Sequence, residues 1–275
     1  MSSNKLEKAA PSEVTQYDAE LAKLYAASSG TDGTENINRE DAALPFLKIL
    51  QALSPQVVRS KPEYNKDASA GQYYNSLTGE LFEYGKPVEV MRVYFGKKWI
   101  EWRPNQGGLV RISQTEAEAK QHKVPDTGDA DVDTEIFETH EFYLLVLGKY
   151  GWGPAVFPAS KSKLPFSRKW NGVIMNLKFG EFNDEIAKKL PPDAAPKSYA
   201  VVFSLITASK AGKKGDYYIP ALGEKRLATP AELKLATEFK ELIEKGGAKV
   251  EYKSAEDVDQ DTDNVPGANA MEGAV

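Results

Sequence analysis

Between Phe142 and Gly180 the chain carries no carboxylate, and its cations are interspersed with aromatic rings. Lys149, Lys161, Lys163, Arg168, Lys169 and Lys178 alternate with Tyr150, Trp152, Phe157, Phe166, Trp170 and Phe179. Single-stranded nucleic acid needs this combination: cations track phosphates, and flat rings stack on unpaired bases whatever their sequence. A second concentration is PVEVMRVYFGKKWIEWRP at 87–104, which holds Arg92, Tyr94, Trp99 and Arg103. A third is the lysine-rich KAGKKG at 210–215, with Lys210, Lys213 and Lys214. Aromatic residues at such spacing also build cores, and lysines also form ordinary solvated surface, so the pattern by itself fits either role.

The charge of the whole chain hides this. Residues 115–141 contain nine carboxylates and only Lys120 and Lys123, a net of −7. Residues 254–275 hold Glu256, Asp257, Asp259, Asp261, Asp263 and Glu272 with no cation, a net of −6. Set apart from a chain of −5, these two blocks leave +8 on the remainder. An acidic tail on a basic body is suited to contacting partners and to competing with an anionic ligand for one surface.

Few enzyme constellations are compatible with the sequence. There are two histidines, His122 and His140, and no cysteine, so no thiolate chemistry, disulfide or ordinary structural zinc site is available. GxxxxGK[ST] and GxSxG are absent, and Gly151–Gly153 lacks the third glycine of a dinucleotide loop. The Asp-rich runs fail the EF-hand test, because the sixth and twelfth positions from Asp129 are Thr134 and His140, and from Asp257 are Thr262 and Ala268. A carboxylate-only Mg²⁺ site stays open. The expectation is a protein without catalytic residues, metal or cofactor. No run of ~18 apolar residues suggests a membrane span.

The elements that must position these side chains follow from periodicity. Val14, Tyr17, Leu21, Leu24 and Tyr25 predict a short amphipathic helix, followed by a polar linker to residue 41. Residues 43–58 read as a buried strand or a short helix, with periodicity deciding for neither. Residues 71–85 read as a hairpin turning at Ser76–Gly79. Residues 87–104 read as a second hairpin with a two-residue turn at Gly96-Lys97, which places Arg92, Tyr94, Trp99 and Arg103 on one face. The acidic stretch at about 113–137 reads as a long polar loop outside any core. Phe142–Leu147 is a buried strand returning at Ala155–Pro158. A helix follows from Ser167 as cap, with Trp170, Ile174 and Leu177 on one face. Residues 199–209 and 215–222 form a hairpin with lysines at its tip. Thr229-Pro-Ala-Glu232 opens a final helix with a capping box, and Gly246 ends it. The fold class expected is mainly β (α+β): an OB-fold-like β-barrel with one inserted helix, extra hairpins, a C-terminal helix and a disordered acidic tail.

EDAALPFLKILQALSPQV (40–57), GQYYNSLTGELF (71–82), VEVMRVYFGKKWIEWRP (88–104), ETHEFYLLVLG (138–148) and SKLPFSRKWNGVIM (162–175) resemble bacteriophage single-stranded DNA-binding proteins of the replication module. The resemblance covers roughly residues 36–250. It implies an OB-type core, sequence-independent binding of single-stranded DNA, and an acidic C-terminal tail that contacts replication partners such as a phage DNA polymerase, helicase–primase or nuclease. It also implies work in the cytoplasm of an infected bacterial host. One departure is the tip: this chain ends NAMEGAV, without the terminal aromatic that many such tails carry.

Three parts are thus expected: residues 1–41, a DNA-binding core at 42–253, and a partner-binding tail at 254–275. The expected DNA-binding residues are Arg92, Tyr94, Trp99, Arg103, Lys161, Lys163, Arg168, Lys169, Trp170, Lys210, Lys213 and Lys214. A homodimer is one expected assembly, and no membrane is involved. Two other functions fit the same residues less closely: a strand-annealing recombination mediator, and a virion or assembly protein with no affinity for DNA.

Overall fold

In a computed structural model, residues 43–103, 108–129, 133–212 and 215–252 are described. The expected N-terminal helix, Lys213, Lys214 and the tail residues Glu256, Asp257, Asp259, Asp261 and Asp263 lie outside the described residues. Strands β1 (Leu47–Ile49) and β2 (Tyr73–Asn75) pair antiparallel as a small sheet. The large sheet comprises β3 (Val88–Trp102), β4 (Leu109–Ser113), β5 (Glu135–Gly148), β6 (Gly151–Ser160), β7 (Val201–Gly212) and β8 (Gly215–Leu227). Its order is β6-β5-β3-β7-β8, with β4 also pairing β3. Helices are α1 (Glu116–Gln121), α2 (Leu164–Met175) and α3 (Pro230–Glu244). The fold is mainly β, with one helix inserted between β6 and β7 and another after β8, as expected. Barrel closure is not seen among the described residues, where β6 and β8 remain the two edges of an open path. The reason lies in β7, which pairs with β3 only over Val88–Met91 and then runs on with β8 past the start of β3.

The second hairpin expected at 87–104 is a single strand. Tyr94 through Trp102 pair residue by residue with Tyr143 through Glu135, with no turn at Gly96-Lys97. A register shift between Arg92 and Tyr94 makes Val93 a bulge. Because side chains alternate along a strand, Phe95, Lys97, Trp99 and Glu101 share one face, and Tyr94, Gly96, Lys98, Ile100 and Trp102 take the other. The glycine that suggested a turn has another cause. It sits opposite Glu141, and a β-carbon there would lie 3.3 Å from Glu141 Oε2.

The acidic block is also not one loop. Residues 116–121 are helical, capped by Thr115, which accepts the Glu118 N–H, and Glu135–Glu141 open β5. Their alternation, Ile136, Glu138, His140 against Phe137, Thr139, Glu141, has the period of a strand, and the carboxylates of Glu138 and Glu141 find partners. Glu141 is fully buried and accepts from Lys98 Nζ (2.9 Å), Tyr143 OH (3.1 Å) and Tyr252 OH. Buried Glu101 accepts from Val124 N and Thr134 Oγ1, each at 2.7 Å, and so ties down both ends of the 124–134 connection.

Two cores form on the two faces of the sheet. Val90, Phe142, Leu144, Phe157 and Phe203 pack with Phe166 and Trp170 of α2. Met91, Val93, Ile100, Trp102 and Val202 pack with Ala236 and Phe239 of α3. Helix α2 starts earlier than expected, at Leu164, with Pro165 in its first turn. Ser167 is inside it and buried rather than a cap. Helix α3 begins as expected: Thr229 accepts the Glu232 N–H, and Glu232 accepts the Thr229 N–H.

Candidate nucleic-acid interface

The aromatic and basic residues expected to meet DNA separate into interior and surface groups. Trp170 is fully buried, with its ring stacked on Phe142 at 4.8 Å. Arg92 is buried as well. Its guanidinium lies over Phe95 (4.9 Å), Phe142 (5.1 Å) and Trp170 (5.7 Å), and Nη1 has no hydrogen-bond partner. Burial pushes it down to about 10, so it stays charged at neutral pH and is held by ring faces. Lys163 is buried over Phe157 at 5.8 Å. These three are core residues: the register of β3 turns Arg92 inside, the inward stripe of α2 turns Trp170 inside, and Lys163 is buried in the turn that leads into α2.

Tyr94 and Trp99 do not share a platform. They are an odd number of positions apart on one continuous strand, so they face opposite sides of the sheet. Tyr94 is exposed and meets Tyr143 edge-on at 5.6 Å, beside the Lys98–Glu141 pair. Arg103 follows the end of β3, and its N–H donates to Gly108 O. Lys210 lies exposed near the end of β7, opposite Tyr217. Sixteen residues of strand path separate Trp99 from Lys210, so Lys210 lies well away from the Trp99 face.

What the fold does bring together is the face of β3 that carries Trp99. Lys97 Nζ is 4.7 Å from the Trp99 ring centroid. Trp99 opposite Glu138 opens onto a groove of about 570 Å³ that is also lined by Lys120 of α1, by Lys123 just beyond it, and by Glu135, Phe137 and Lys161. The groove runs past the point where β6 ends, since the β5–β6 ladder starts only at Thr139↔Ser160. Lys161 has a φ of 41°, the single positive value for a non-glycine among the described residues. This unusual backbone, at the junction of β6 and α2, accompanies a side chain whose Nζ lies 5.1 Å over Phe137. Arg168 and Lys169 of α2 are exposed, and Arg168 Nη2 is 3.8 Å from Glu138 Oε2.

Four lysines around Trp99 each meet a carboxylate of the acidic block. Lys97 binds Glu138 at 2.5 Å, Lys161 binds Glu135 at 2.9 Å, Lys120 binds Glu116 at 2.6 Å, and Lys123 binds Asp126. Pairs this open to water contribute about 0–1 kcal/mol each. The Lys98–Glu141 pair on the opposite face differs, because Glu141 is closed off from water and removing Lys98 strands its buried charge. Sequence reading overlooked Lys97, Lys120, Lys123, Glu135 and Glu138 as site residues. The available signal was the alternation Phe95, Lys97, Trp99, which continues through Gly96.

Behind the groove, His140 Nε2 donates to Glu138 at 2.8 Å, and its Nδ1 accepts from the Ser167 hydroxyl. Burial lowers the imidazole below its usual value and favours this neutral arrangement, although Glu138 opposes the shift. The order Ser–His–Glu is that of a hydrolase relay, yet Ser167 is fully buried, and the pair instead pins α2 to β5. Among the described residues no cluster of three or more metal-ligating side chains occurs, and no helix is long and apolar enough to cross a membrane.

Residues 14–249 match the family of the Pam3 phage gp34-like protein. No curated protein and no solved structure matches the chain.

Proposed function

The chain belongs to the Pam3 phage gp34-like protein family, and from that phage setting we propose that it binds single-stranded DNA without sequence preference. One observation carries the reading: Trp99 stands at a surface groove with Lys97 against its ring and Lys120, Lys123 and Lys161 around it. A ring beside several cations takes unpaired bases on the ring and phosphates on the cations. Arg168 and Lys169 extend the cationic face along α2. Tyr94 supplies a second, separate stacking position on the far side of the sheet, and Lys210 with Tyr217 a third at the hairpin tip. No base-edge reading is required, which suits coating of DNA during replication or recombination in an infected cell. In this proposal the carboxylates of residues 254–275 serve contacts with replication enzymes.

The experiment is fluorescence anisotropy with a labelled oligo(dT), comparing wild type with the Lys97→Ala/Lys161→Ala double variant. Saturable binding that weakens in the variant supports the reading. Absence of binding by the wild-type chain at low salt rejects it.

A further inference from the structure

We propose that Glu138 and Glu135 are built-in phosphate mimics, which hold the groove cations in place and are exchanged for DNA phosphates when a strand enters. The inference rests on the single-stranded DNA reading and deepens it. Glu138 is positioned for this role, being opposite Trp99 on β5 and lining the same groove. Its Oε1 takes Lys97 Nζ at 2.5 Å and its Oε2 faces Arg168 Nη2 at 3.8 Å, so one carboxylate gathers cations from β3 and α2. Glu135 does the same for Lys161, at 2.9 Å. A phosphodiester presents the same feature, a delocalised anion with more than one acceptor oxygen.

Exposure separates exchangeable from fixed carboxylates. The side chains of Lys97 and Glu138 are 43% and 23% exposed, those of Lys161 and Glu135 30% and 46%, and that of Arg168 67%. Water reaches all of these pairs, so each is weakly held and a polyanion that supplies several phosphates displaces them together. Glu141, with 0% exposure and three donors, is not of this kind. Glu138 also has a reason to remain ionised and in place when its cations leave, because His140 Nε2 still donates to it. Lys97 is then free to swing from the carboxylate to a phosphate while keeping contact with the Trp99 ring. The acidic block read in the sequence as a loop thus has a direct task, since two of its strand residues set the resting state of the basic face.

The consequence is a gain of affinity on removing negative charge at two particular positions. Glu138→Gln keeps an acceptor for His140 but releases Lys97 and Arg168, and Glu135→Gln releases Lys161. Each is expected to tighten oligo(dT) binding about three- to tenfold at ~50 mM salt, and to steepen the salt dependence by about 0.7 in log–log slope per cation released. Glu244→Gln, which removes the partner of Lys240 on α3, changes net charge equally and serves as the control. Tightening by Glu138→Gln and Glu135→Gln but not by Glu244→Gln supports the inference. Equal effects from all three, no effect, or weaker binding by the groove variants overturns it. If Lys97→Ala/Lys161→Ala loses affinity while Glu135→Gln leaves it unchanged, DNA binding stands and the mimicry fails. If wild type and Glu138→Gln both ignore oligo(dT), DNA binding itself is rejected. A thermal melt of each variant checks folding, and Glu135→Gln at the surface carries the test should Glu138→Gln unfold.

Discussion

Gly96 of β3 lies directly opposite Glu141 of β5, whose buried carboxylate takes three donors. A β-carbon at Gly96 would meet Glu141 Oε2 at 3.3 Å; Lys98 and Tyr143 hold that oxygen while Tyr252 holds Oε1, which leaves the carboxylate little room to retreat. Gly96→Val is therefore expected to cost about 2 kcal/mol by crowding, and Glu141→Ala about 3–5 kcal/mol by stranding buried donors and a lysine. Urea denaturation of both single variants and the double variant checks this, with the double less destabilised than the sum of the two. Full additivity would contradict the contact.

Arg92 gives the second prediction. A guanidinium buried among Phe95, Phe142 and Trp170, with Nη1 unpartnered, adds little that an apolar side chain of similar length lacks. Arg92→Met is expected to leave the melting temperature unchanged or raised, and oligo(dT) affinity unchanged. A clear loss of DNA affinity with intact folding would return Arg92 to the binding surface.

The tryptophans separate function from stability. Trp99→Ala is expected to weaken oligo(dT) binding by about 1–3 kcal/mol with little change in the thermal midpoint. Trp170→Ala, which empties the space against Phe142, Phe166 and Phe203, is expected to cost about 3–5 kcal/mol of stability. Anisotropy and thermal melts of the two variants should therefore give opposite patterns.

Acid sensitivity has a named source at the start of α3. The Arg226 fork holds the Glu232 carboxyl down to about 2, helped by the Thr229 hydrogen bonds. A carboxyl depressed in the folded state contributes stability above its unfolded value near 4.5, and the contribution fades as pH falls from there towards 2. Allowing for the part-exposed guanidinium, the loss is on the order of 1–2 kcal/mol. Glu232→Gln should be less stable than wild type at pH 7, and the difference should shrink as pH drops through that window. Melts at stepped pH measure it.

How much of this was legible depended on what each signal reports. Thr229 and Glu232 were readable because a capping box is local chemistry. The strands around Phe142 and Val201 were readable because apolar runs of that length are buried. The single strand β3 was not, because Gly96 satisfies a turn and a crowded cross-strand position equally well, and only the partner Glu141 decides between them. That one misplaced turn put Trp99 and Tyr94 on a common face and drew Arg92 towards the surface. The strand start at Glu135 was hidden for a related reason: period-two alternation is present, but a run this rich in charge fits a polar loop equally well. Lys98 and Tyr252, which together with neighbouring Tyr143 make the burial of Glu141 tolerable, come from distant parts of the chain.

The most direct measurement is a competition titration: a labelled oligo(dT) bound to the wild-type chain is challenged with unlabelled oligo(dT) or duplex DNA at several salt concentrations. The account predicts displacement by oligo(dT) well ahead of duplex. It also predicts a log affinity that falls with log salt at a slope of roughly −2 to −4, set by the cations around Trp99. Failure to bind oligo(dT), or displacement by duplex ahead of it, would contradict the account.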